Sequence, residues 1–165
     1  GRIGMAVALR SLAWRMRVLY VARKPRLEFE MAPIAGRRVT LEEGLAEADV
    51  VSLHTPLTPE TRGMINAERL ALLKPGAILI NTARGPVVDE AALVKVLKEG
   101  KIWGAGLDVY EREPIVHEGL LGLDNCLLSP HVGSASEWSR RMMTQMVCAN
   151  AAAILAGNEP PNRVA

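Results

Sequence analysis

Short apolar runs alternate with longer stretches of helical period along this chain. Arg17 to Ala22, Asp49 to Leu53, Ala77 to Asn81, Trp103 to Leu107 and Cys126 to Leu128 read as strands, and Val39 ends a shorter one. Between them, Thr40 with Glu43 three residues later forms a capping box for a helix to about Ala46. Asn66 to Leu73 is helical and stops at Pro75-Gly76, and Asp89 caps a helix to Glu99 that Gly100 ends. Glu28 to Ala35 reads as a helix, and Ser134 opens a long amphipathic helix that ends near Gly157. Strands alternating with helices predict an α/β domain, a doubly wound parallel sheet with helices on both faces.

The beginning departs from this rhythm. Gly1-Arg2-Ile3-Gly4 is a tight turn into a helix over Met5 to Leu9, and such a turn ordinarily follows a strand. The expectation is a sheet lacking its first strand, in a chain that is part of a longer protein. Residues 1–157 are expected to form the domain. Residues 158–165, with Glu159-Pro160-Pro161-Asn162, read as an exit linker.

Composition narrows the function classes. A chain of 165 residues with 49% apolar and 23% charged residues has enough material for a real core. Its net charge of +2 argues against a nucleic-acid footprint and a membrane surface. No apolar run approaches the roughly 18 residues of a spanning helix. Cys126 and Cys148 are too isolated for a disulfide framework or a metal site, so a reducing cytoplasm is the expected compartment. Seven basic residues and no acid lie between Gly1 and Leu27, a bias like that of a targeting segment. The strand-like Val18-Leu19-Tyr20-Val21 and the lack of serine enrichment argue for a domain interior instead.

The chemistry concentrates where strands end. Ala77 to Asn81 runs into Thr82-Ala83-Arg84-Gly85-Pro86, which puts a cation at the carboxyl end of a buried strand, where open parallel sheets bind ligands. Gly1, Arg2, Ile3 and Gly4 start a helix whose unpaired amides and dipole favour a phosphate. A dinucleotide-binding fold that prefers NAD carries an acid at the end of its second strand, to hold the ribose hydroxyls. Here that place is Ala22, followed by Arg23 and Lys24. Two cations and no carboxylate suit a 2′-phosphate, so NADP(H) is the expected cofactor, with NAD(H) as the second option.

Several motifs together resemble one family. They are Gly1-Arg2-Ile3-Gly4, His54-Thr55-Pro56-Leu57-Thr58-Pro59-Glu60-Thr61, Leu73-Lys74-Pro75-Gly76, Asn81-Thr82-Ala83-Arg84-Gly85, Gly104 to Pro114, and Pro130-His131-Val132-Gly133-Ser134. In this order and over nearly the whole chain they are similar to the D-isomer-specific 2-hydroxyacid dehydrogenases. Gly-Arg-Ile-Gly-Met-Ala and Leu-Tyr-x-Ala-Arg most resemble the NADPH-preferring glyoxylate/hydroxypyruvate, or 2-ketogluconate, reductases. The resemblance implies a Rossmann-type domain whose substrate domain lies outside these residues, usually paired as a homodimer.

It also implies a catalytic set of Arg84, Glu113 and His131. Reduction of a 2-keto acid needs a hydride at carbon and a proton at oxygen. A histidine suits the proton transfer, a neighbouring carboxylate would steady its imidazolium, and a guanidinium fork would grip the substrate carboxylate. By the same resemblance Asp108 contacts the nicotinamide side and Pro56 lines the cofactor crevice. Thr82, Ala83, Gly133 and Ser134 complete the cofactor set. His54 is a poor acid, because its motif packs under the cofactor, and His117 receives no role. Trp14, Trp103 and Trp138 read as packing residues. Trp14-Arg15 stands where relatives often carry a glycine before the second strand. Two alternatives share these motifs: a 3-phosphoglycerate dehydrogenase-like enzyme, disfavoured by Ala22, and a dinucleotide-binding corepressor-like regulator.

Overall fold

The structure, a computed structural model, describes residues 1–164. They fall into two compact units, Gly1–Pro130 and the segment from His131 onward. The first unit carries two parallel sheets. Strands β1 (Leu19–Tyr20) and β2 (Arg37–Arg38) pair in parallel, with Leu19 opposite Arg37 and Tyr20 opposite Arg38. Strands β3 (Val50–Leu53), β4 (Ile78–Asn81), β5 (Gly104–Leu107) and β6 (Cys126–Leu128) form a four-stranded parallel sheet in that spatial order. Parallel strands joined through helices are the Rossmann-type α/β architecture that the apolar rhythm predicts.

The helices are α1 (Arg2–Ser11), α2 (Leu27–Glu30), α3 (Leu41–Glu47), α4 (Ala67–Leu70), α5 (Glu90–Lys98) and, in the second unit, α6 (Glu137–Leu155). The capping signals hold at the atomic level. The Thr40 hydroxyl accepts from the Glu43 N–H at 3.2 Å while the Glu43 carboxylate accepts from the Thr40 N–H at 2.8 Å. Asp89 Oδ1 accepts from the Ala92 N–H at 2.9 Å and starts α5. Leu93, Val94, Val96 and Leu97 of α5 are buried in one cluster with Leu79, Ala105 and Leu107 of the four-stranded sheet. Each such buried side chain contributes about 1.5–3 kcal/mol relative to exposure. A second cluster joins Ala8, Tyr20, Phe29 and Ile34, with the Tyr20 and Phe29 rings stacked 5.1 Å apart.

Several boundaries differ from the sequence reading. The helix expected over Glu28 to Ala35 stops at Glu30, because Pro33 has no N–H to continue it and disfavours helical backbone before it. The helix expected from Asn66 is one turn, with the Asn66 side chain accepting from the Arg69 N–H at 3.0 Å. The last helix starts at Glu137, because Ser136 rather than Ser134 caps it, accepting from the Ser139 N–H.

The packing role expected of the tryptophans is not what the structure shows. Trp14, Trp103 and Trp138 are 74%, 70% and 72% exposed. Trp14 follows α1, Trp103 precedes β5, and Trp138 lies in the first turn of α6. In the second unit, α6 buries no side chain completely and exposes Met143, Met146, Val147, Ile154 and Leu155. No helix among the described residues is long and apolar enough to cross a membrane. The expected exit linker 158–165 includes Ala165, which lies outside the described residues.

Candidate active site

Arg84 is delivered by a turn that one buried side chain builds. Asn81, the last residue of β4, is 1% exposed. Its Oδ1 accepts from the Ala83 N–H at 3.0 Å and its Nδ2 donates to the Arg84 carbonyl at 3.0 Å. The amide thus spans the turn and satisfies two backbone groups that leave the sheet. Its own carbonyl accepts from the Asp108 N–H at 3.0 Å, which ties the ends of β4 and β5 together. Ala83 is buried inside the turn while Thr82 and the Arg84 side chain are exposed. Arg84 Nη1 donates back to the Ala83 carbonyl at 2.6 Å.

The loop carrying Glu113 is clamped onto that turn. Glu113 Oε1 accepts from the Tyr110 N–H at 3.1 Å, and the Tyr110 hydroxyl donates to the Ser129 carbonyl at 2.8 Å. A side chain at Gly85 would meet the Tyr110 carbonyl at 1.9 Å, so glycine here permits direct backbone contact between the two loops. Nearby, Glu90 Oε1 accepts from the Glu111 N–H at 2.7 Å and Glu111 Oε1 accepts from the Glu90 N–H at 2.8 Å. This reciprocal pair fastens the start of α5 to the Glu113 loop. Burial holds the Glu90 carboxyl above the usual carboxylate range.

Asp108 is buried and accepts a hydrogen bond from the Ser129 hydroxyl. His131 is the first residue of the second unit and is exposed, with a left-handed φ of 54° that is uncommon for a residue bearing a side chain. Sparsely populated backbone of this kind clusters at functional sites. Gly133 and Ser134 follow it and are exposed. The structure therefore brings Arg84 and Glu113 onto adjoining loops of one unit. It places His131, Gly133 and Ser134 in the other.

The cofactor side draws on the start of α1, the end of β3 and the turn after β1. Gly1 caps α1 without a side-chain hydrogen bond, and the first turn, with Arg2, Ile3 and Gly4, holds no acid, as a phosphate would require. His54, at the end of β3, lies 3.5 Å from where a Gly4 Cβ would stand and hydrogen-bonds the Ser52 hydroxyl at 2.9 Å. Burial lowers its pKa, which fits a packing role and not an acid. Beside exposed Pro56, the buried Thr55 hydroxyl has no hydrogen-bond partner among the described residues. Ala22 lies just beyond β1, and Arg23 and Lys24 are exposed after it. The residues fit a dinucleotide.

Asn81, Glu90 and Thr55 escaped the sequence reading. Asn81 and Thr55 stand inside motifs of the family resemblance without a role of their own, and Glu90 belongs to no motif. The available signal was a polar residue closing an otherwise apolar run. Among the described residues no cluster of His, Cys, Asp or Glu could hold a metal ion.

Parallel strands joined through helices make this a Rossmann-type α/β dinucleotide-binding domain. Residues 1–133 match the family described as D-isomer specific 2-hydroxyacid dehydrogenase, NAD binding domain. The chain belongs to that family. It is 51% identical over 166 residues to a glyoxylate reductase of Thermococcus onnurineus, covering 99% of this chain and 49% of that protein. The TT0316 protein of Thermus thermophilus superposes with a TM-score of 0.90 at 51% identity, over 100% of this chain and 51% of that one. An NADPH-dependent glyoxylate/hydroxypyruvate reductase of Sinorhizobium meliloti, in complex with NADP and malonate, gives a TM-score of 0.89 at 40% identity. That match covers 100% of this chain and 50% of the other. The chain spans about half the length of the curated relatives it matches.

Proposed function

We propose that this chain is the cofactor half of an NADPH-dependent reductase that converts a small 2-keto acid to the D-2-hydroxy acid. Glyoxylate, hydroxypyruvate and 2-ketogluconate are the candidate substrates. Residues 1–157 serve as its NADP(H) domain and 158–165 as the exit linker, in a cytoplasmic homodimer. The single observation that carries this reading is the Arg84 turn, built by Asn81 and held through Gly85 against the loop of Glu113.

When bound, NADPH supplies the hydride for the substrate carbonyl carbon. Arg84 grips the substrate carboxylate with its planar fork and polarises the ketone. His131 donates a proton to the carbonyl oxygen, so that hydride and proton together give the alcohol. Glu113 steadies the imidazolium and its orientation. Thr82, Ala83, Asp108, Pro56, Gly133 and Ser134 line the cofactor, with the start of α1 at its pyrophosphate and Arg23 and Lys24 at its 2′-phosphate. Support comes from the cation at a strand end, the acid-free α1 start, the absence of a carboxylate at Ala22, and the NADP complex of the Sinorhizobium relative.

Steady-state kinetics of the full-length protein test the proposal, with each of the three keto acids and with NADPH against NADH. Saturable reduction of at least one acid with a higher kcat/KM for NADPH is expected. No reduction of any acid with either cofactor would overturn it.

A further inference from the structure

We propose that Arg38, at the end of β2, is the positioning residue that shapes the 2′-phosphate end of the cofactor site. The inference rests on the NADPH reading above and names a residue outside every motif of the family resemblance. Arg38 stands opposite Tyr20 in the β1–β2 pair. Its guanidinium turns across the strand end and bridges two successive carbonyls. Nε and Nη2 donate to the Ala22 carbonyl at 3.2 and 2.9 Å, and Nη2 also donates to the Arg23 carbonyl at 3.0 Å.

The direction of those carbonyls has a consequence. The Ala22–Arg23 and Arg23–Lys24 peptides are not among the cis bonds of the chain, and in a planar trans peptide the N–H points opposite the C=O. With both carbonyls turned to Arg38, the N–H groups of Arg23 and Lys24 face away from it. Neither donates to any described protein group. Two successive amides that point one way, flanked by the Arg23 and Lys24 side chains, make a concavity suited to an anion.

Two carboxylates lie near this turn, and each is engaged by protein groups. The Arg26 N–H donates to the Tyr20 hydroxyl at 2.9 Å, and that hydroxyl donates to Glu30, so the Glu30 carboxylate is engaged by Tyr20. Across from it, Glu60 is hydrogen-bonded by Thr58 and by backbone, which with a smaller contribution from the Arg23 charge keeps its carboxyl below the usual range. Arg38 therefore acts through the backbone. A planar fork can hold two carbonyls at once, and an ammonium group cannot reproduce that geometry.

The test measures binding of adenosine 2′,5′-bisphosphate and of AMP to the full-length protein by calorimetry, for wild type, Arg38→Ala and Arg38→Lys. AMP lacks the 2′-phosphate, so its affinity reports on the fold and on the rest of the adenosine site. Arg38→Ala is expected to lower the affinity ratio of bisphosphate to AMP about tenfold while AMP binding stays unchanged. Arg38→Lys is expected to behave like Arg38→Ala, because it keeps charge and loses the fork. The NADPH/NADH ratio of kcat/KM should fall in parallel, with the KM for the keto acid unmoved. A preserved bisphosphate ratio in Arg38→Ala, in a wild type that does discriminate, overturns the inference and leaves the NADPH reading intact. A preserved ratio in Arg38→Lys alone shows that charge acts directly and also overturns it. A wild type that binds both nucleotides equally overturns the inference and the NADPH reading together.

Discussion

Replacing Gly85 by alanine places a methyl carbon 1.9 Å from both the carbonyl carbon and the carbonyl oxygen of Tyr110, and 2.5 Å from the Glu111 nitrogen. Non-bonded contacts of this kind settle near 3.5 Å, so the Arg84 turn and the Glu113 loop must part by about 1.5 Å. Neither side of the contact is a flexible side chain, and both are backbone. A separation of that size would break the reciprocal Glu90–Glu111 hydrogen bonds, now 2.7 and 2.8 Å long. Hydrogen bonds to a charged group are worth about 1.5–3 kcal/mol each and overpacking about 1–3 kcal/mol, so with both bonds lost Gly85→Ala should destabilise by at least about 4 kcal/mol. Urea unfolding of the full-length protein measures the loss, and kcat/KM with NADPH and glyoxylate should fall as Arg84 and Glu113 are displaced. A loss below about 1 kcal/mol with unchanged kcat/KM would refute the close contact and the clamp derived from it.

Other expectations follow from single residues. Because burial raises the folded-state pKa of Glu90 above its unfolded value of 4.5, ionising it costs stability as pH rises through that window. Glu90→Gln keeps the acceptor and removes the charge, so its urea midpoint should gain on wild type as pH rises from 4.5, and a pH-independent difference would contradict this. Burial pushes the Cys126 thiol up to about 11, while Cys148 is exposed on α6. Iodoacetamide near neutral pH should therefore label Cys148 and spare Cys126 until the protein is unfolded, as peptide mapping would read. Arg15 adopts left-handed backbone, with φ 57° and ψ 30°. Arg15→Gly should be neutral or stabilising by up to about 1 kcal/mol, and Arg15→Val destabilising by more than about 1 kcal/mol, measured by thermal melting.

What was legible in the sequence was what local chemistry determines. The Thr40/Glu43 box, the Asp89 cap and the strand that ends in Asn81 each depend on residues within a turn of one another. Placement of Arg84 at a strand end followed from the same local rule, and so did the exposed basic turn of Arg23 and Lys24 just beyond β1. The contacts that were not legible join residues far apart in the chain. Glu90 meets Glu111 across two loops, Gly85 meets Tyr110, and Arg38 reaches back to Ala22 from the next strand. No periodicity encodes such pairings, because each depends on how the strands register in the sheet. The tryptophans failed for a related reason, since hydrophobic identity does not say whether an element terminus has a neighbour to pack on.

Arg84 is proposed to hold the substrate carboxylate and to leave the cofactor to other residues. The most direct measurement compares wild type with Arg84→Ala in the full-length protein, following steady-state reduction of the preferred keto acid and titrating NADPH by fluorescence. In Arg84→Ala kcat/KM should fall by about 100-fold or more, as for loss of a bidentate charged contact, with NADPH affinity within about twofold of wild type. A large loss of NADPH affinity with near-normal kcat/KM at saturating cofactor would contradict it.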